Sequence, residues 1–170
     1  KQKHIILIVI SVIIGTLGMT SLIYVGAWII APGSYPRAEI YNFDIPEDSL
    51  IAIINEVKAE NPELNLTKKV RIPNGGNFYL SDGRKDSTDY WHSIYFYYPD
   101  KNKILHTWTR PKNEKSTNFA FVGINNGLTI GNWKTVNGNF WWWKNQPDID
   151  EFEKRILDKI KEKTKPNNVY

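Results

Sequence analysis

Residues 91–110 read WHSIYFYYPDKNKILHTWTR, and this segment has the pattern of two strands joined by a turn. Two runs rich in aromatic and β-branched residues flank the polar segment PDKN at 99–102. Aromatic and β-branched residues are enriched in strands, whereas Pro, Asp and Asn are typical of turns. The stretch therefore predicts an antiparallel hairpin with a four-residue loop, in which Tyr98 faces Lys103.

The register of this hairpin divides its side chains between two sheet faces, because successive residues of a strand point in opposite directions. An exposed aromatic surface is typical of a binding site. One face carries the residues that we expect in the core: His92, Ile94, Phe96 and Leu105. The other is aromatic and basic, and we predict that it is the binding surface: Trp91, Tyr95, Tyr97, His106, Trp108 and Arg110.

A second hairpin is predicted at residues 137–138, where the chain reads Asn-Gly. Type I′ turns need a positive φ at both central residues, which Asn and Gly tolerate best. A two-residue turn here pairs Trp133 with Trp142, so that both faces of the hairpin carry aromatic rings. It adds three residues to the predicted binding surface: Lys134, Trp141 and Trp143.

Two segments outside these hairpins have helical periodicity. The first has Asp44 as its predicted N-cap, with Glu47 three residues later, and it stops at Asn61 before a proline. The second begins with the same type of capping box, formed by Asp148 and Glu151. Their apolar positions fall on one face of each helix: Leu50, Ile53, Ile54 and Val57 in the first, and Ile149, Phe152, Ile156, Leu157 and Ile160 in the second.

Further short strands are predicted between the two helices. Their ranges are 70–72, 78–80, 119–124 and 128–135. The predicted order is one helix, six antiparallel strands and a second helix, with both amphipathic helices on one face of the sheet. This order indicates the α+β class.

The N-terminal part of the chain is of a different kind, because residues 5–30 are uncharged and apolar. As a helix they span about 39 Å, which exceeds the roughly 30 Å of a bilayer core. A secretory signal has a shorter apolar region and small residues at its cleavage site, whereas residues 28–32 read WIIAP. We therefore predict an uncleaved single-pass signal-anchor.

Charges near the ends of this segment predict its orientation. Lys1 and Lys3 precede it, and the next basic residue is Arg37. Basic residues favour the cytoplasmic side, so the N-terminus is predicted in the cytoplasm and the rest outside the cytoplasmic membrane. The predicted parts are an anchor at 1–36, an extracytoplasmic domain at 37–164 and a flexible tail at 165–170.

Small residues lie in one narrow arc of the anchor and predict a contact with another membrane helix: Ser11, Gly15 and Gly18.

Composition excludes several classes of function. The segment after residue 36 contains all 18 acidic residues and has a net charge of about +2 without a basic stripe, so nucleic acid is not a predicted partner. The absence of cysteine excludes disulfides, thiol catalysis and cysteine-bound metals.

Few residues suggest catalysis or metal binding. His92 and His106 are predicted on opposite sheet faces and so cannot share a metal, and Ser93 points away from its neighbour His92. Acidic residues at 81–89 lack the ligand spacing of a calcium loop. We therefore predict no catalytic residue, metal or cofactor.

These observations favour a membrane-anchored, non-catalytic module that binds a protein through its aromatic sheet face. Abundant Ile, Asn and Lys are typical of an AT-rich bacterium. The main hypothesis is an accessory subunit of a bacterial envelope complex. Two alternatives stay open: a membrane-anchored immunity or inhibitor protein against a toxin or hydrolase, and a domain that binds or cleaves cell-wall glycan.

Overall fold

A computed structural model describes residues 2–30 and 35–165, so most of the predicted tail lies outside the described residues. Contacts divide the chain into two units, Lys1–Pro36 and Arg37–Tyr170. The first contains helix α1 (Gln2–Ile30), which is long and apolar enough to cross a membrane. Such a helix fits either a membrane anchor or a signal sequence.

The second unit has the predicted α+β class. The main sheet has the strand order β1-β6-β5-β4, with β7 also paired to β6, and all its pairs are antiparallel. Strands β2 and β3 form a separate two-stranded sheet. The bounds are β1 (Glu39–Phe43), α2 (Glu47–Glu60), β2 (Val70–Arg71), β3 (Asn77–Phe78), β4 (His92–Tyr98), β5 (Lys103–Asn113), β6 (Ser116–Asn126), β7 (Lys134–Thr135), α3 (Gln146–Phe152) and α4 (Asp158–Thr164), with a π-helical segment (Glu153–Leu157) between the last two.

The β4–β5 hairpin has the predicted register. Tyr98 pairs with Lys103, and Ile94, Phe96 and Leu105 are buried on one face. The two amphipathic helices cover this face, and their predicted apolar residues are in the core apart from Ile53, which is half-buried against it. Ring stacking between the sheet and the C-terminal helix is close, since the centroids of Phe121 and Phe152 are 4.2 Å apart.

Neither predicted helix cap forms. Helix α2 begins at Glu47 after Pro46, and its N-cap has no side-chain hydrogen bond, so Asp44 is not the cap. The carboxylate of Glu47 instead pairs with Arg84 and accepts a hydrogen bond from Thr109 Oγ1 at 2.9 Å. The end of α2 at Asn61 is as predicted.

The C-terminal helix begins at Gln146, two residues before the predicted cap. Asp148 does not cap it, because its carboxylate binds Lys103 and Lys134 on the sheet. Charge-assisted bonds to two ammonium groups compete successfully with a backbone N–H.

The second predicted hairpin is wrong. Within 128–135 only β7 is a strand, and it pairs with β6 rather than with residues 140–143. Neither Asn137 nor Gly138 has a positive φ. The reason is that the Asn137 backbone N–H donates to Arg37 O at 3.1 Å, and its side chain donates to Glu39 Oε2 at 2.8 Å. The chain then forms a 3-10 turn at Trp142–Lys144.

One end of the face opposite the main core is covered by a second apolar cluster. Val70, Tyr97 and Ile104 are its buried members. Side chains from the flanking segments pack against them: Leu66, Phe78, Leu80, Tyr95, Leu128 and Ile130. The candidate site occupies the rest of this sheet face and shares Tyr95 with the cluster.

Candidate binding surface

The structure separates the nine predicted surface residues into different environments. Tyr97 belongs to the second apolar cluster and is buried, with its hydroxyl donating to Asn102 Oδ1 at 2.9 Å. Lys134 lies in β7 and binds Asp148 Oδ2 at 2.9 Å. Burial acts to raise the pKa of Asp148, but hydrogen bonds from Lys134 and Lys103 outweigh it and hold that pKa below its usual value. Tyr97 and Lys134 therefore have structural contacts of their own.

The other sheet residues form what we call the aromatic strip. It lies on the sheet face opposite the main core, because Tyr95 pairs with His106 and Ser93 pairs with Trp108. Trp108 is the most buried residue of the strip and is only 3 % exposed. Tyr90, at the margin of the strip, is 54 % exposed. The strip comprises five predicted residues, Trp91, Tyr95, His106, Trp108 and Arg110, and two that were not predicted, Tyr90 and Trp133.

Arg110 is the charged residue of the aromatic strip. Its guanidinium carbon is 5.0 Å from the ring centroid of Tyr90 and 6.0 Å from that of Trp108. Its Nε is buried without a hydrogen-bond partner, and so is Oδ1 of Asn118, the residue opposite it on β6. Among residues 2–30 and 35–165, no ion pair includes Arg110. A guanidinium in this environment is suited to a planar carboxylate, which it can bind through two parallel hydrogen bonds.

A serine and a histidine meet in the middle of the strip. The His106 Nε2 atom lies 3.3 Å from Ser93 Oγ, and its ring stacks on Tyr95 with centroids 5.0 Å apart. Burial lowers the pKa of His106 to about 4. The ring is therefore neutral near pH 7 and a weak general base. The contact between Ser93 and His106 was not predicted, although the register of the hairpin puts both residues on the same face.

The two histidines lie on opposite faces, as predicted. His92 pairs with Thr109, whose hydroxyl reaches helix α2 on the core side. Burial is the main cause that lowers the pKa of His92, and the nearby charge of Arg84 adds to it.

Tyr90, at the exposed margin of the strip, belongs to a loop that is bound to strand β4. Asp82 pairs with Lys58 and accepts a hydrogen bond from the Tyr95 backbone N–H at 2.9 Å. Asp86 accepts from the backbone and hydroxyl of Thr88. These carboxylates therefore stabilise the loop itself. The part of the chain that the structure describes has no group of three or more acidic or histidine residues that could hold a metal.

Trp141 and Trp143 lie in a turn rather than on a strand. With Phe140 and Trp142 they form the tryptophan turn, in which the three indoles are 50 %, 63 % and 52 % exposed in chain order. Trp141 stacks on Trp143 with centroids 5.0 Å apart, and Trp142 meets Trp143 edge-on at 6.1 Å. Four consecutive aromatic residues were visible in the sequence, but the incorrect hairpin placed them on the sheet.

Two asparagines fix the backbone around the tryptophan turn. The buried Asn145 accepts hydrogen bonds at Oδ1 from the Asn139 backbone N–H at 3.0 Å and from its side-chain amide at 2.7 Å. Its own Nδ2 donates to the Asn139 carbonyl oxygen at 3.1 Å. On the other side, Asn137 is bound to Arg37 and Glu39 at the start of the domain.

The small residues of helix α1 lie at the surface of this helix. Ser11, Gly15 and Gly18 are exposed, and a Cβ added at either glycine meets no atom within 4 Å.

Comparisons of this chain with protein-family models, with curated proteins and with solved structures found no match.

Proposed function

We propose that this protein is a single-pass membrane protein whose domain, residues 37–164, binds a partner protein outside the cytoplasmic membrane. In this proposal it is a non-catalytic accessory subunit of a bacterial envelope complex. The observation that carries the proposal is Arg110, a partly buried cation between aromatic rings without an ion-pair partner among the described residues.

Energetic considerations favour a protein partner with a carboxylate at this position. Trp, Tyr and Arg are the residue types most enriched among those that dominate binding energy at protein interfaces. Hydrogen bonds to a charged group stabilise by about 1.5–3 kcal/mol, and a buried guanidinium donor without a partner loses its hydration. A partner carboxylate on the terminal nitrogens of Arg110 supplies a charged acceptor for the guanidinium, while Tyr90 and Trp133 supply apolar contact area.

The chemistry of the strip favours binding over catalysis. With a pKa of about 4, His106 is a poor base for activating Ser93 at neutral pH. Stacking against Tyr95 and an edge contact with Trp133 at 5.7 Å are instead the contacts of an aromatic packing residue.

The proposed location follows from helix α1 and from its flanking charges. The helix is long and apolar enough to span a membrane, and Lys1 and Lys3 precede its apolar segment. The next basic residue, Arg37, begins the folded domain. The positive-inside rule then favours a cytoplasmic N-terminus and an extracytoplasmic domain.

Affinity purification with a matched arginine control tests the proposal. The tagged full-length chain is expressed in its native host, crosslinked, extracted in mild detergent and purified. We expect a stoichiometric protein that is lost with Arg110→Gln and kept with Arg71→Gln, because Arg71 is an exposed arginine of the separate β2–β3 sheet. Equal recovery with both variants, or no protein above background, contradicts a protein site at Arg110.

The same experiment distinguishes the two kinds of protein partner. An integral membrane partner whose recovery falls with Gly15→Leu or Gly18→Leu supports an accessory subunit, because bulky residues keep helices apart. A secreted toxin or hydrolase that is recovered equally with both glycine variants indicates an inhibitor. Retention of the chain on wall glycan instead of on any protein indicates the carbohydrate alternative.

A further inference from the structure

We propose that the tryptophan turn inserts into the lipid headgroup region of the membrane that holds helix α1. This inference rests on the anchoring part of the proposed function and is independent of the Arg110 site. It gives the domain a second attachment to the bilayer.

The composition and exposure of the turn suit the headgroup region. Trp141, Trp142 and Trp143 are each at least half exposed, and together they form the apolar tip of one short turn. Tryptophan is enriched where a membrane meets water, because its ring is apolar while its indole N–H can bind headgroups. Lys144 follows directly and is exposed, which suits anionic phosphates.

The covalent connection between helix α1 and the domain is short. Seven peptide steps separate Ile30, the last residue of α1, from Arg37. Even fully extended, such a connection spans only about 25 Å. The Asn137 backbone N–H is bound to the carbonyl oxygen of Arg37, and the tryptophan turn begins three residues later. The covalent connection therefore keeps Arg37, to which Asn137 is bound, within about 25 Å of the end of α1.

The turn is already ordered in the protein. Asn145 binds Asn139 through three hydrogen bonds, and the Lys144 backbone N–H donates to Trp141 O at 3.0 Å. A preformed turn loses little conformational entropy when it enters the interface.

Spin-label depth measurements test this proposal directly, because the chain has no cysteine and accepts single labelled positions. Nitroxide labels are attached to the cysteines of two separate variants, Trp142→Cys and Lys144→Cys. The second variant retains all three tryptophans. The full chain is reconstituted in vesicles of phosphatidylcholine and phosphatidylglycerol. Collision rates are measured with oxygen, which concentrates in the bilayer, and with a water-soluble nickel chelate.

Two further labels are the controls. Tyr79→Cys reports an exposed aromatic position directly after strand β3, and Leu17→Cys reports the middle of helix α1. We expect the labels at 142 and 144 to lose nickel collisions and gain oxygen collisions relative to the label at 79. If they are as accessible to nickel as the label at 79 while the label at 17 is shielded, the anchor holds and the inference is overturned. If the label at 17 is also accessible to nickel, the membrane part of the proposed function fails and this inference fails with it.

Discussion

The guanidinium carbon of Arg110 on strand β5 lies 5.0 Å from the ring centroid of Tyr90 in the loop before strand β4. A cation placed over an aromatic face is attracted by the electrons of the ring, and the attraction grows when water is excluded. Because Tyr90 is 54 % exposed, this contact lies at the solvent-facing margin of the aromatic strip.

A double-mutant cycle measures this contact. We expect Arg110→Gln and Tyr90→Leu to be non-additive by about 0.5–1 kcal/mol in the free energy of unfolding, which is the usual size of a partly exposed cation–π pair. Chemical denaturation of the full chain in detergent micelles gives the four stabilities. Additive effects of the two substitutions contradict the contact.

Gly123 allows strand β7 to lie beside strand β6. A Cβ at this position meets the carbonyl oxygen of Lys134 at 2.9 Å, which is too close for a carbon–oxygen contact. We expect Gly123→Ala to lower the free energy of unfolding by about 1–3 kcal/mol, the usual cost of overpacking. Gly76→Ala is the matched control, since a Cβ there meets nothing within 4 Å, and equal stability of the two variants contradicts the tight approach.

Asn145 holds the tryptophan turn in shape through its three hydrogen bonds to Asn139. Asn145→Ala leaves the Asn139 backbone N–H and carbonyl without these partners, and we expect a loss of about 1–3 kcal/mol in stability. The same denaturation assay checks this, with Asn126→Ala as an exposed asparagine control. A loss no larger than that of the control shows that the turn does not depend on Asn145.

The pKa values of the histidines predict how stability depends on pH. Burial holds the pKa of His106 at about 4, below its ordinary value of 6.5. The unfolded chain therefore takes up a proton as pH falls below about 6.5, while the folded chain does so only near pH 4. The stability that the neutral ring contributes is present above pH 6.5 and is lost as pH falls through this window. His92 acts in the same direction, because its pKa is also lowered.

Thermal unfolding of parent and variant checks this effect. Between about pH 7.5 and pH 5, the parent chain should lose about 2 kcal/mol more in its free energy of unfolding than His106→Gln does. Carboxylates also titrate in this range, so the difference between parent and variant is the informative quantity. His92→Gln gives the separate contribution of the other histidine. An unchanged pH dependence in His106→Gln contradicts the depressed pKa.

The β4–β5 hairpin and the apolar helix faces could be predicted because their signals are local. A four-residue polar loop fixed the pairing of Tyr98 with Lys103, and that pairing fixed which side chains face the core. Periodicity of 3.6 residues then identified the buried residues of the C-terminal helix, including Phe152 and Ile156.

The wrong predictions concern residues whose bonds to distant parts of the chain outweigh the structural preference of the local sequence. Asn137-Gly138 has the composition of a hairpin turn, but Asn137 is bound to Arg37 and Glu39, about a hundred residues earlier in the chain. Asp148 has the composition of a helix cap, but two lysines on the sheet occupy its carboxylate. The tryptophan turn was missed as a separate feature for the same reason, since its position depends on these long-range bonds.

The candidate site was predictable in part. Alternation along the strands put Tyr95, His106, Trp108 and Arg110 on one face, as the structure has them. The depth of each side chain was not predictable, because it depends on which loops cover the sheet. Tyr90 and Trp133 reach the strip from outside the hairpin and left no periodic signal.

Site-specific photo-crosslinking shows whether the aromatic strip contacts a protein in the cell. A photoreactive phenylalanine analogue replaces Tyr90 in the full-length chain in living cells of the native host. The matched control carries it at Tyr79, which is 58 % exposed and lies outside the strip. We expect a discrete crosslinked protein from position 90 that is absent from position 79 and disappears when Arg110→Gln is added. The same products from both positions, or no product from position 90, contradict it.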